Sequence, residues 1–453
     1  MNNSNQKLVW YAVTVAIAGF LFGFDTVVIA GANLPIKELW HTSPLFHGTF
    51  IMSMALWGTV IGALTGGIPS ERWGRKPTLM LIGWLYLISA LGSALAPDPY
   101  SFSFFRFIGG LGVGASSVTA PTYISEIATA KRRGTMVALY QFFLVFGILV
   151  AFISNYALTG FDGANDWRWM MGVEAIPALI YCLLMLGVPE SPRWLIAIKG
   201  NREKAKKILQ QIHGEGEANL EMDGIEAHLN HNQDSGFDVR RLRKPLILAF
   251  WLAFFNQWSG INFVLYYAPE ILEKTGLAAQ NSLESSIAIG GVNFLFTLVG
   301  MYLIDRLGRK QLLIYGSIGY IVSLVMVGLA FQWSMNAMVH LIFLCSFIAS
   351  HAIGQGAVIW VFISEIFPNK SRAYGQSFGS SVHWVFAALI TLITPLFLDE
   401  KEGIFGENPA PIFFFLGLMM VFQLIWSIRY MPETKGVSLE ELQDSMVAKW
   451  GRI

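Results

Sequence analysis

The sequence reads PESPRW at positions 189–194 and RRLRKP at positions 240–245, and the residues between them form the only long polar run in the chain. About six long apolar segments precede this run, and about six follow it. The run itself contains short amphipathic patterns that are too short and too charged to cross a bilayer, such as Ala205, Ile208, Leu209 and Ile212. A polar linker between two equal apolar blocks is typical of a membrane transporter built from two helical bundles.

The composition points the same way. The 453 residues are 54% hydrophobic and 13% charged, whereas soluble domains carry roughly 25% charged residues. Many of the apolar segments exceed the roughly 18 to 20 residues that a helix needs to span about 30 Å of hydrocarbon. Cys182 and Cys345 both lie within apolar segments, which indicates neither a disulfide framework nor a metal site. The first apolar segment lacks a small-residue cleavage site and predicts a retained helix.

We therefore predict an all-α membrane protein with twelve transmembrane helices, numbered spans 1 to 12. Their predicted bounds are 8–32, 47–68, 78–95, 101–126, 134–158, 168–188, 245–269, 284–304, 312–332, 336–363, 374–397 and 410–431. The predicted domains are an N-terminal six-helix bundle (1–190), a cytoplasmic linker with short amphipathic helices (191–244), and a C-terminal six-helix bundle with a short cytoplasmic tail (245–453). In the tail, Ser438 and Glu441 have the spacing of a capping box, which predicts a short helix.

The placement of Lys and Arg predicts the orientation. With the N-terminus inside, the cytoplasmic segments hold 26 of the 31 basic residues. The external loops hold only Lys37, Arg168, Lys274 and Lys401. Basic residues concentrate on the cytoplasmic side of membrane proteins. We expect a multi-pass protein of the cell (inner or plasma) membrane with both termini in the cytoplasm.

The two halves of the chain repeat three motifs in the same order. Glu71-Arg72-Trp73-Gly74-Arg75-Lys76 follows span 2, and Asp305-Arg306-Leu307-Gly308-Arg309-Lys310 follows span 8. Glu126 stands seven residues before Arg133, and Glu365 stands seven before Arg372. Pro189-Glu190-Ser191 is matched by Pro432-Glu433-Thr434. The offsets of 234 to 243 residues indicate an internal duplication. Transporters with such repeats bind substrate between two similar bundles near the middle of the membrane.

The repeated charges have two interpretations. They either only set the topology, or they form a cytoplasmic ion-pair lock between the halves that breaks when the inner gate opens. The residues of the predicted lock are Glu71, Arg72, Arg75, Glu126, Arg133, Glu190, Arg193, Asp305, Arg306, Arg309, Glu365, Arg372 and Glu433.

Polar residues inside the spans must face a cavity or one another, because neutral polar groups are costly to hide in lipid. Span 7 reads Asn256-Gln257-Trp258-Ser259-Gly260-Ile261-Asn262, and its amides supply both donors and acceptors, which suits a neutral polyol. Hydrogen bonding between helices is the alternative role. Gly260, together with Pro269 further along, favours a bend or a break in this helix.

Three ionisable residues fall at a similar depth in three different spans. Asp25 lies in span 1, Arg106 in span 4 and Glu174 in span 6. A rise of about 1.5 Å per residue places each of them roughly 7–10 Å from the predicted outer end of its span. A permanent ion pair is one interpretation, and a proton route is the other, because intramembrane charges often mark such routes.

These features together resemble the sugar porter family of the major facilitator superfamily. Four motifs carry the resemblance: the two charged loops at 71–76 and 305–310, and the segments PESPR (189–193) and PETKG (432–436). The resemblance covers essentially the whole chain. Bacterial proton-coupled pentose and hexose symporters are the most similar members. The resemblance implies monosaccharide transport by alternating access, with sugar:proton symport into the cell. A facilitative uniporter is the alternative within the class.

The resemblance also implies site residues. The sugar site would comprise Gln141, Asn256, Gln257, Asn262, Asn293, Trp360, His383 and Trp384. Asn256 stands where the family usually has glutamine, and His383 stands where it commonly has an amide. Three roles are open for His383: a hydrogen bond to sugar, an added titratable group, or a packed side chain. Phe22, Tyr266 and Tyr267 are candidate gate aromatics. In proton-coupled members an aspartate and an arginine occupy the positions of Asp25 and Arg106, which makes Glu174 a reserve acid.

Other classes of protein fit less well. An enzyme is not expected, because the sequence has no nucleophile–base set, metal cluster or nucleotide-binding loop, and no cofactor is expected. A non-transporting sugar sensor normally needs a long signalling tail, and a drug antiporter does not need the amides of span 7. The expected partners are a monosaccharide (a pentose or hexose), protons and the lipid bilayer, with no nucleic acid and no obligatory protein partner.

Overall fold

The structure, a computed structural model, describes residues 3–129, 132–231, 239–367 and 371–436. Within these ranges the secondary structure is helical, without a β-strand. The predicted capping-box helix at Ser438 and Glu441 lies outside the described residues.

The first six spans and the linker follow the predicted order. Span 1 is Asn3–Trp40, and span 2 consists of Pro44–Phe46, the π-helix His47–Met52, Met54–Thr65 and Gly67–Arg72. Span 3 is Arg75–Ala94, span 4 is Pro99–Ile127, and span 5 is Arg133–Leu158. Span 6 consists of Asp166–Gly172 and Ala175–Leu186. The linker forms three helices, Pro192–Ala197, Arg202–His213 and Glu215–His231. Its predicted apolar face is buried at Ala205, Ile208, Leu209 and Ile212.

Spans 7 to 12 follow the linker. Span 7 consists of Val239–Trp258 and Ile261–Glu273, span 8 is Ala279–Leu307, and span 9 is Arg309–Gln332. Span 10 consists of Ala337–His351, the π-helix Ala352–Gly356 and Ala357–Ile366. Span 11 is Arg372–Leu398, and span 12 is Ala410–Arg429.

Length and hydropathy support a multi-span membrane protein. Among the described residues, ten segments are long and apolar enough to cross a membrane, and the bent pair Pro44–Met52 and Met54–Arg72 makes an eleventh if it counts as one span. Span 4, Pro99–Ile127, is not among them, and its sequence is rich in glycine, serine and threonine. Its 29 residues still exceed what about 30 Å of hydrocarbon requires. The prediction of an all-α membrane protein is confirmed.

Span 1 is longer than predicted. It continues to Trp40, eight residues beyond the predicted end at residue 32, with Pro35 inside the helix. The side chain of Lys37 forms an ion pair with Asp399, and Ile36 is fully buried. The added turns therefore carry a neutralised charge and a packed apolar residue, which composition alone does not reveal.

Spans 7 and 10 are among the interrupted spans, and span 7 breaks where the sequence predicts it. Span 7 breaks at Gly260, whose φ of 87° is left-handed, and a Cβ there would lie 2.5 Å from Leu416 Cδ1. The backbone conformation therefore favours glycine, and the end of the Leu416 side chain would have to move to admit a Cβ. Tyr267, two residues before Pro269, has non-helical torsion angles. In span 10 the π-helix Ala352–Gly356 brings Gly354 against Gly316, where a Cβ on Gly354 would lie 2.9 Å from Gly316 Cα.

The chain forms two compact units. The first comprises Met1–Thr26, Trp57–Ala151 and Arg168–Gly236, and the second comprises Val27–Leu56, Phe152–Trp167 and Phe237–Ile453. The second unit thus joins the ends of spans 1, 2 and 5 to the C-terminal half of the chain. The division into bundles 1–190 and 245–453 stays a prediction.

Candidate functional site

The first unit contains a fully buried ion pair between spans 1 and 4. Asp25 and Arg106 are each 1% exposed, and Arg106 Nη1 pairs with Asp25 Oδ1. Arg106 Nη2 also donates to the backbone oxygen of Asp25 at 3.0 Å. Gly109 leaves room for this pair, because a Cβ there would lie 2.3 Å from Ser89 Oγ and 3.3 Å from Asp25 Oδ1. The structure thus brings together two of the three predicted ionisable residues in direct contact.

Glu174, the third ionisable residue, belongs to the same cluster. It lies between the helices Asp166–Gly172 and Ala175–Leu186 and is 1% exposed. Both its carboxyl oxygens are buried and lack a hydrogen-bond partner among the described residues. Its carboxyl group lies within electrostatic range of both Asp25 and Arg106. Two acids therefore lie near one arginine away from water, and only Asp25 contacts it.

The second unit contains a cluster of buried amides around Gln257. Gln257 Nε2 donates to Asn256 Oδ1 at 3.1 Å, and Gln257 Oε1 accepts from Asn262 Nδ2 at 2.8 Å. The break at Gly260 separates the helix that carries Asn256 and Gln257 from the helix that carries Asn262. Gln257 Nε2 also lies 3.0 and 3.2 Å from the two ring nitrogens of His383. The predicted amides and His383 thus form one hydrogen-bonded cluster.

Aromatic rings border this cluster. The His383 ring centroid lies 5.0 Å from that of Trp360 and 4.7 Å from that of Trp384. Trp360 is 37% exposed, whereas His383 and Trp384 are buried. The indole of Trp360 is therefore the exposed aromatic surface next to the amides, and an indole face suits the C–H surface of a sugar.

The remaining predicted sugar and gate residues divide between the two units. In the first, Gln141 is half-buried on span 5, and Phe22 is buried on span 1. In the second, Asn293 on span 8 is 5% exposed. Tyr266 and Tyr267 are each 1% exposed, and the Tyr267 hydroxyl donates to Thr391 O at 2.8 Å. The roles of all these residues stay predictions.

The first repeated loop makes a set of charge-assisted hydrogen bonds. Arg75 Nε and Nη2 donate to the two carboxylate oxygens of Glu126 at 3.0 and 2.9 Å. Glu190 accepts from the backbone N–H of Arg75 at 2.9 Å and of Lys76 at 3.2 Å. Burial raises the pKa of the Glu190 carboxyl, and the backbone donors of Ser191, Lys76 and Arg75 oppose this shift. These bonds join the span 2–3 loop to the ends of spans 4 and 6.

The second loop repeats the same bonds. Arg309 Nε and Nη2 donate to the carboxylate oxygens of Glu365 at 3.0 and 2.7 Å. Glu433 accepts from the backbone N–H of Arg309 at 2.9 Å and of Lys310 at 3.1 Å. The internal duplication inferred from the motifs therefore extends to individual hydrogen bonds.

Glycine is required at the same point of both loops. Gly74 has φ 113° and Gly308 has φ 92°. A Cβ would lie 2.2 Å from Glu190 Oε2 at Gly74 and 2.5 Å from Glu433 Oε2 at Gly308. The loop motif thus contains glycine because the carboxylate must reach the backbone N–H groups that follow it.

The other predicted lock residues are less tightly bound. Glu71, Arg72 and Arg133 are exposed, and Arg193 is half-buried. Asp305 pairs with Arg309 at 3.3 Å, and Arg306 stacks on the Tyr302 ring. The side chain of Arg372 lies outside the described residues. The ion pairs of the two loops each join residues of one repeat, so a cytoplasmic lock between the halves stays a prediction.

Sequence reasoning missed two polar networks in the second unit. One links the predicted outer ends of spans 1, 2 and 7 through Asn33, His47 and Glu270, and Lys37 of span 1 pairs beside it with Asp399, which follows span 11. The other lies beside the π-helix of span 10, where Gln355 bonds to Gln423 and the Tyr320 hydroxyl bonds to His351. Histidine and glutamate within apolar segments were the available signal, but their partners are too distant in sequence to pair by inspection.

Comparison with known proteins adds a family and several relatives. The family model described as "Sugar (and other) transporter" matches residues 11–445. The arabinose-proton symporter of Bacillus subtilis (strain 168) is 34% identical over 452 residues, which cover 98% of this chain and 96% of the relative.

Solved structures of the xylose transporter XylE from E. coli also match. Its partially occluded inward-open structure has a TM-score of 0.84 at 31% identity and covers 95% of this chain and 99% of that one. The structure described as the MFS (major facilitator superfamily) proton:xylose symporter XylE bound to 6-bromo-6-deoxy-D-glucose has a TM-score of 0.80 at 31% identity, covering 98% and 100%.

Proposed function

The chain belongs to the family of sugar (and other) transporters, and from this premise we propose that it carries a monosaccharide across the membrane by alternating access, together with protons, into the cell. The observation that carries the proton-coupled part is the buried cluster of Asp25, Arg106 and Glu174. A passive carrier has no need of two acids around one arginine inside the membrane, where charged groups are costly.

In this proposal Asp25 is the proton-binding residue. Arginine stays charged at any accessible pH, so the transported proton must reside on an acid. While Arg106 pairs with Asp25, the carboxylate is neutralised by contact. When the carrier rearranges and the pair separates, Asp25 takes up a proton, and it releases that proton when the pair re-forms. Glu174, whose oxygens lack donors among the described residues, is the second acid within reach.

The amide cluster is the proposed sugar-binding surface. Gln257 alone offers two donors and one acceptor, and in the described residues its neighbours Asn256, Asn262 and His383 occupy them. Sugar hydroxyl groups both donate and accept, so they can replace these mutual bonds one for one. Trp360 would cover the apolar face of the ring. By family resemblance, Gln141, Asn293 and Trp384 complete the site.

The substrate is a pentose or a hexose. One relative is named for arabinose and another for xylose, and a solved structure of the latter holds a glucose derivative. Those names describe the relatives. This chain differs from the family at two positions of the site: His383 replaces an amide, and Asn256 replaces the longer glutamine. These two differences would alter the choice among these sugars.

We propose an orientation with both termini in the cytoplasm. The protein lies in the lipid bilayer and needs no obligatory protein partner. The excess of Lys and Arg on one side supports this orientation. The paired loops with Arg75 and Arg309 then lie on the cytoplasmic side, where they act as a lock that holds the inner gate closed and must be released for the sugar to leave.

Uptake by the purified protein in proteoliposomes tests the function. Labelled arabinose, xylose, glucose and galactose are offered with and without an inward proton gradient, with empty liposomes as the control. We expect at least one sugar to accumulate above its external concentration only when the gradient is present. Uptake that equilibrates but never accumulates would make the protein a uniporter. Binding without uptake would favour a sensor.

A further inference from the structure

The predicted outer ends of the spans are joined by a polar network that the proton and sugar sites do not use. We call Asn33, Lys37, His47, Glu270 and Asp399 the outer latch. Three of these residues lie in spans 1 and 2 of the first repeat, Glu270 lies in span 7 of the second, and Asp399 directly follows span 11. All five belong to the second compact unit, which includes Val27–Leu56 and Phe237–Ile453.

Asn33 is the centre of the latch. Its Nδ2 donates to Glu270 Oε2 at 2.8 Å, and its Oδ1 lies 2.7 Å from His47 Nε2. The Thr42 hydroxyl lies 2.8 Å from His47 Nδ1. A neutral imidazole protonated at Nε2 satisfies both of its contacts, because it donates to Asn33 and accepts from Thr42. Asn33 and His47 are 2% and 1% exposed, so water does not compete for these bonds.

Lys37 and Asp399 form the second part of the latch, one helical turn beyond Asn33. Their side chains make an ion pair, and Asp399 is 3% exposed. Asp399 also accepts from the backbone N–H of Lys401 and Glu402, each at 2.9 Å. Burial raises the pKa of the Asp399 carboxyl, but the Lys37 hydrogen bond and these two N–H donors outweigh it and leave the pKa below its usual value. The carboxylate therefore stays ionised and the pair stays formed at neutral pH.

The backbone is closely packed at the same place. Gly48 follows His47 in the π-helix, and a Cβ there would lie 2.0 Å from Leu392 O and 3.3 Å from Pro395 Cδ. Span 2 thus meets span 11 backbone to backbone beside the latch. Contacts this close cannot persist while a sugar passes between the predicted outer ends of these spans.

We propose that the outer latch is the outer gate of the carrier: its hydrogen bonds and ion pair stabilise the state that is closed to the outside, and they must break before sugar enters. This inference rests on the proposed transport function. It assigns to Asn33, Lys37, His47, Glu270 and Asp399 a role separate from proton coupling and sugar binding, because none of them belongs to either cluster.

Distance measurements between spin labels test the gate without relying on transport. Labels are placed at Ser43 and Glu407, two exposed residues of the predicted outer loops, in a protein whose Cys182 and Cys345 are replaced by serine. The variants are Lys37→Met and Asn33→Leu, which keep the approximate size of each side chain. Lys401→Met, an exposed lysine beside Asp399, is the matched control.

A long distance between the two labels reports the state that is open to the outside, and a short distance reports the closed state. We expect both latch variants to raise the ratio of open to closed molecules about 5- to 150-fold, the usual range for a coupling between two states. The control should leave the ratio unchanged. The Lys37 side chain is 23% exposed, so Lys37→Met should fold even if Asn33→Leu does not. A ratio equal to that of the control in the folded variants would overturn the gate.

The transport proposal fails separately from the gate. If the unsubstituted protein moves no sugar in proteoliposomes, the transport function is wrong, whatever the labels report. If it moves sugar and the distance ratios are unaffected by the latch variants, the function stands and the gate is wrong.

Discussion

At the scale of single residues, the proposed proton coupling depends on two acids near one arginine, of which only Asp25 contacts it. Asp25 is bound by Arg106 through its carboxylate and its backbone oxygen, whereas the carboxyl oxygens of Glu174 have no donor among the described residues. This asymmetry matters because a buried charge is tolerated only when it is paired and hydrogen-bonded. In the proposed mechanism Asp25 is therefore the acid whose charge depends on the position of the arginine, and Glu174 is the reserve acid.

Replacing Asp25 with asparagine separates coupling from transport. Asp25→Asn mimics the protonated acid, so we expect it to abolish accumulation of sugar against a gradient while sugar binding and counterflow exchange remain measurable. Asp98→Asn is the matched control, because Asp98 is half-buried, lies outside the cluster and caps span 4 through the N–H of Tyr100 and Ser101, a role that asparagine can fill. Accumulation by Asp25→Asn equal to that of the control would remove Asp25 from the coupling mechanism.

The amides of the proposed sugar site permit a second residue-scale prediction. Gln257→Ala and Asn262→Ala should each weaken sugar binding about 5- to 150-fold, because a buried partner left unpaired costs about 1–3 kcal/mol. Gln332→Ala, an exposed amide at the end of span 9, is the control. Calorimetry on the purified variants measures the affinities. If both site variants bind sugar as tightly as the control, the binding surface lies elsewhere.

At the scale of helices, the breaks in the spans decide which side chains meet. Asn256 and Asn262 both approach Gln257 because span 7 ends at Trp258 and restarts at Ile261. The sequence predicted the break, since glycine and proline were visible in the segment. It did not predict the partners, because the direction in which a helix restarts depends on the torsion angles and on neighbours such as Leu416.

Glycine substitution measures what the break in span 7 requires. Gly260 and Gly276 share a φ of 87°, but a Cβ would lie 2.5 Å from Leu416 Cδ1 at Gly260 and would meet nothing within 4 Å at Gly276. The left-handed conformation costs an L-residue about 1–2 kcal/mol at either position. We expect Gly260→Ala to lower the melting temperature in detergent clearly more than Gly276→Ala. Equal losses would mean that the break tolerates a side chain and that packing against span 12 does not fix it.

At the scale of the whole chain, the duplication is the feature that the sequence predicted most completely. The motif spacing indicated paired loops, and the structure repeats even the bidentate contact of Arg75 with Glu126 in Arg309 with Glu365. Such motifs are predictable because each one is local. The outer latch was not predictable, because Asn33 and Glu270 are 237 residues apart and no repeated motif marks them.

The last prediction concerns whether the duplicated ion pairs act across the molecule or only within each repeat. Arg75→Gln leaves Glu126 without its bidentate partner and loosens the attachment of the span 2–3 loop to span 4. If the two sets of pairs form one lock, loosening the first favours the inward-open state. The predicted cytoplasmic ends of spans 8 and 10, in the other repeat, must then open as well.

Hydrogen exchange followed by mass spectrometry distinguishes the two cases. For a common lock we expect Arg75→Gln to speed amide exchange about 5- to 150-fold at the ends of spans 4 and 10 alike, which corresponds to a typical coupling of 1–3 kcal/mol. Arg309→Gln should do the same from the other repeat, and Lys207→Gln, an exposed residue of the linker outside the predicted lock, should do neither. Faster exchange only in the repeat that carries the substitution would contradict a common lock, because a gate common to both halves cannot open on one side alone. The ion pairs would then stabilise only the loop of their own repeat.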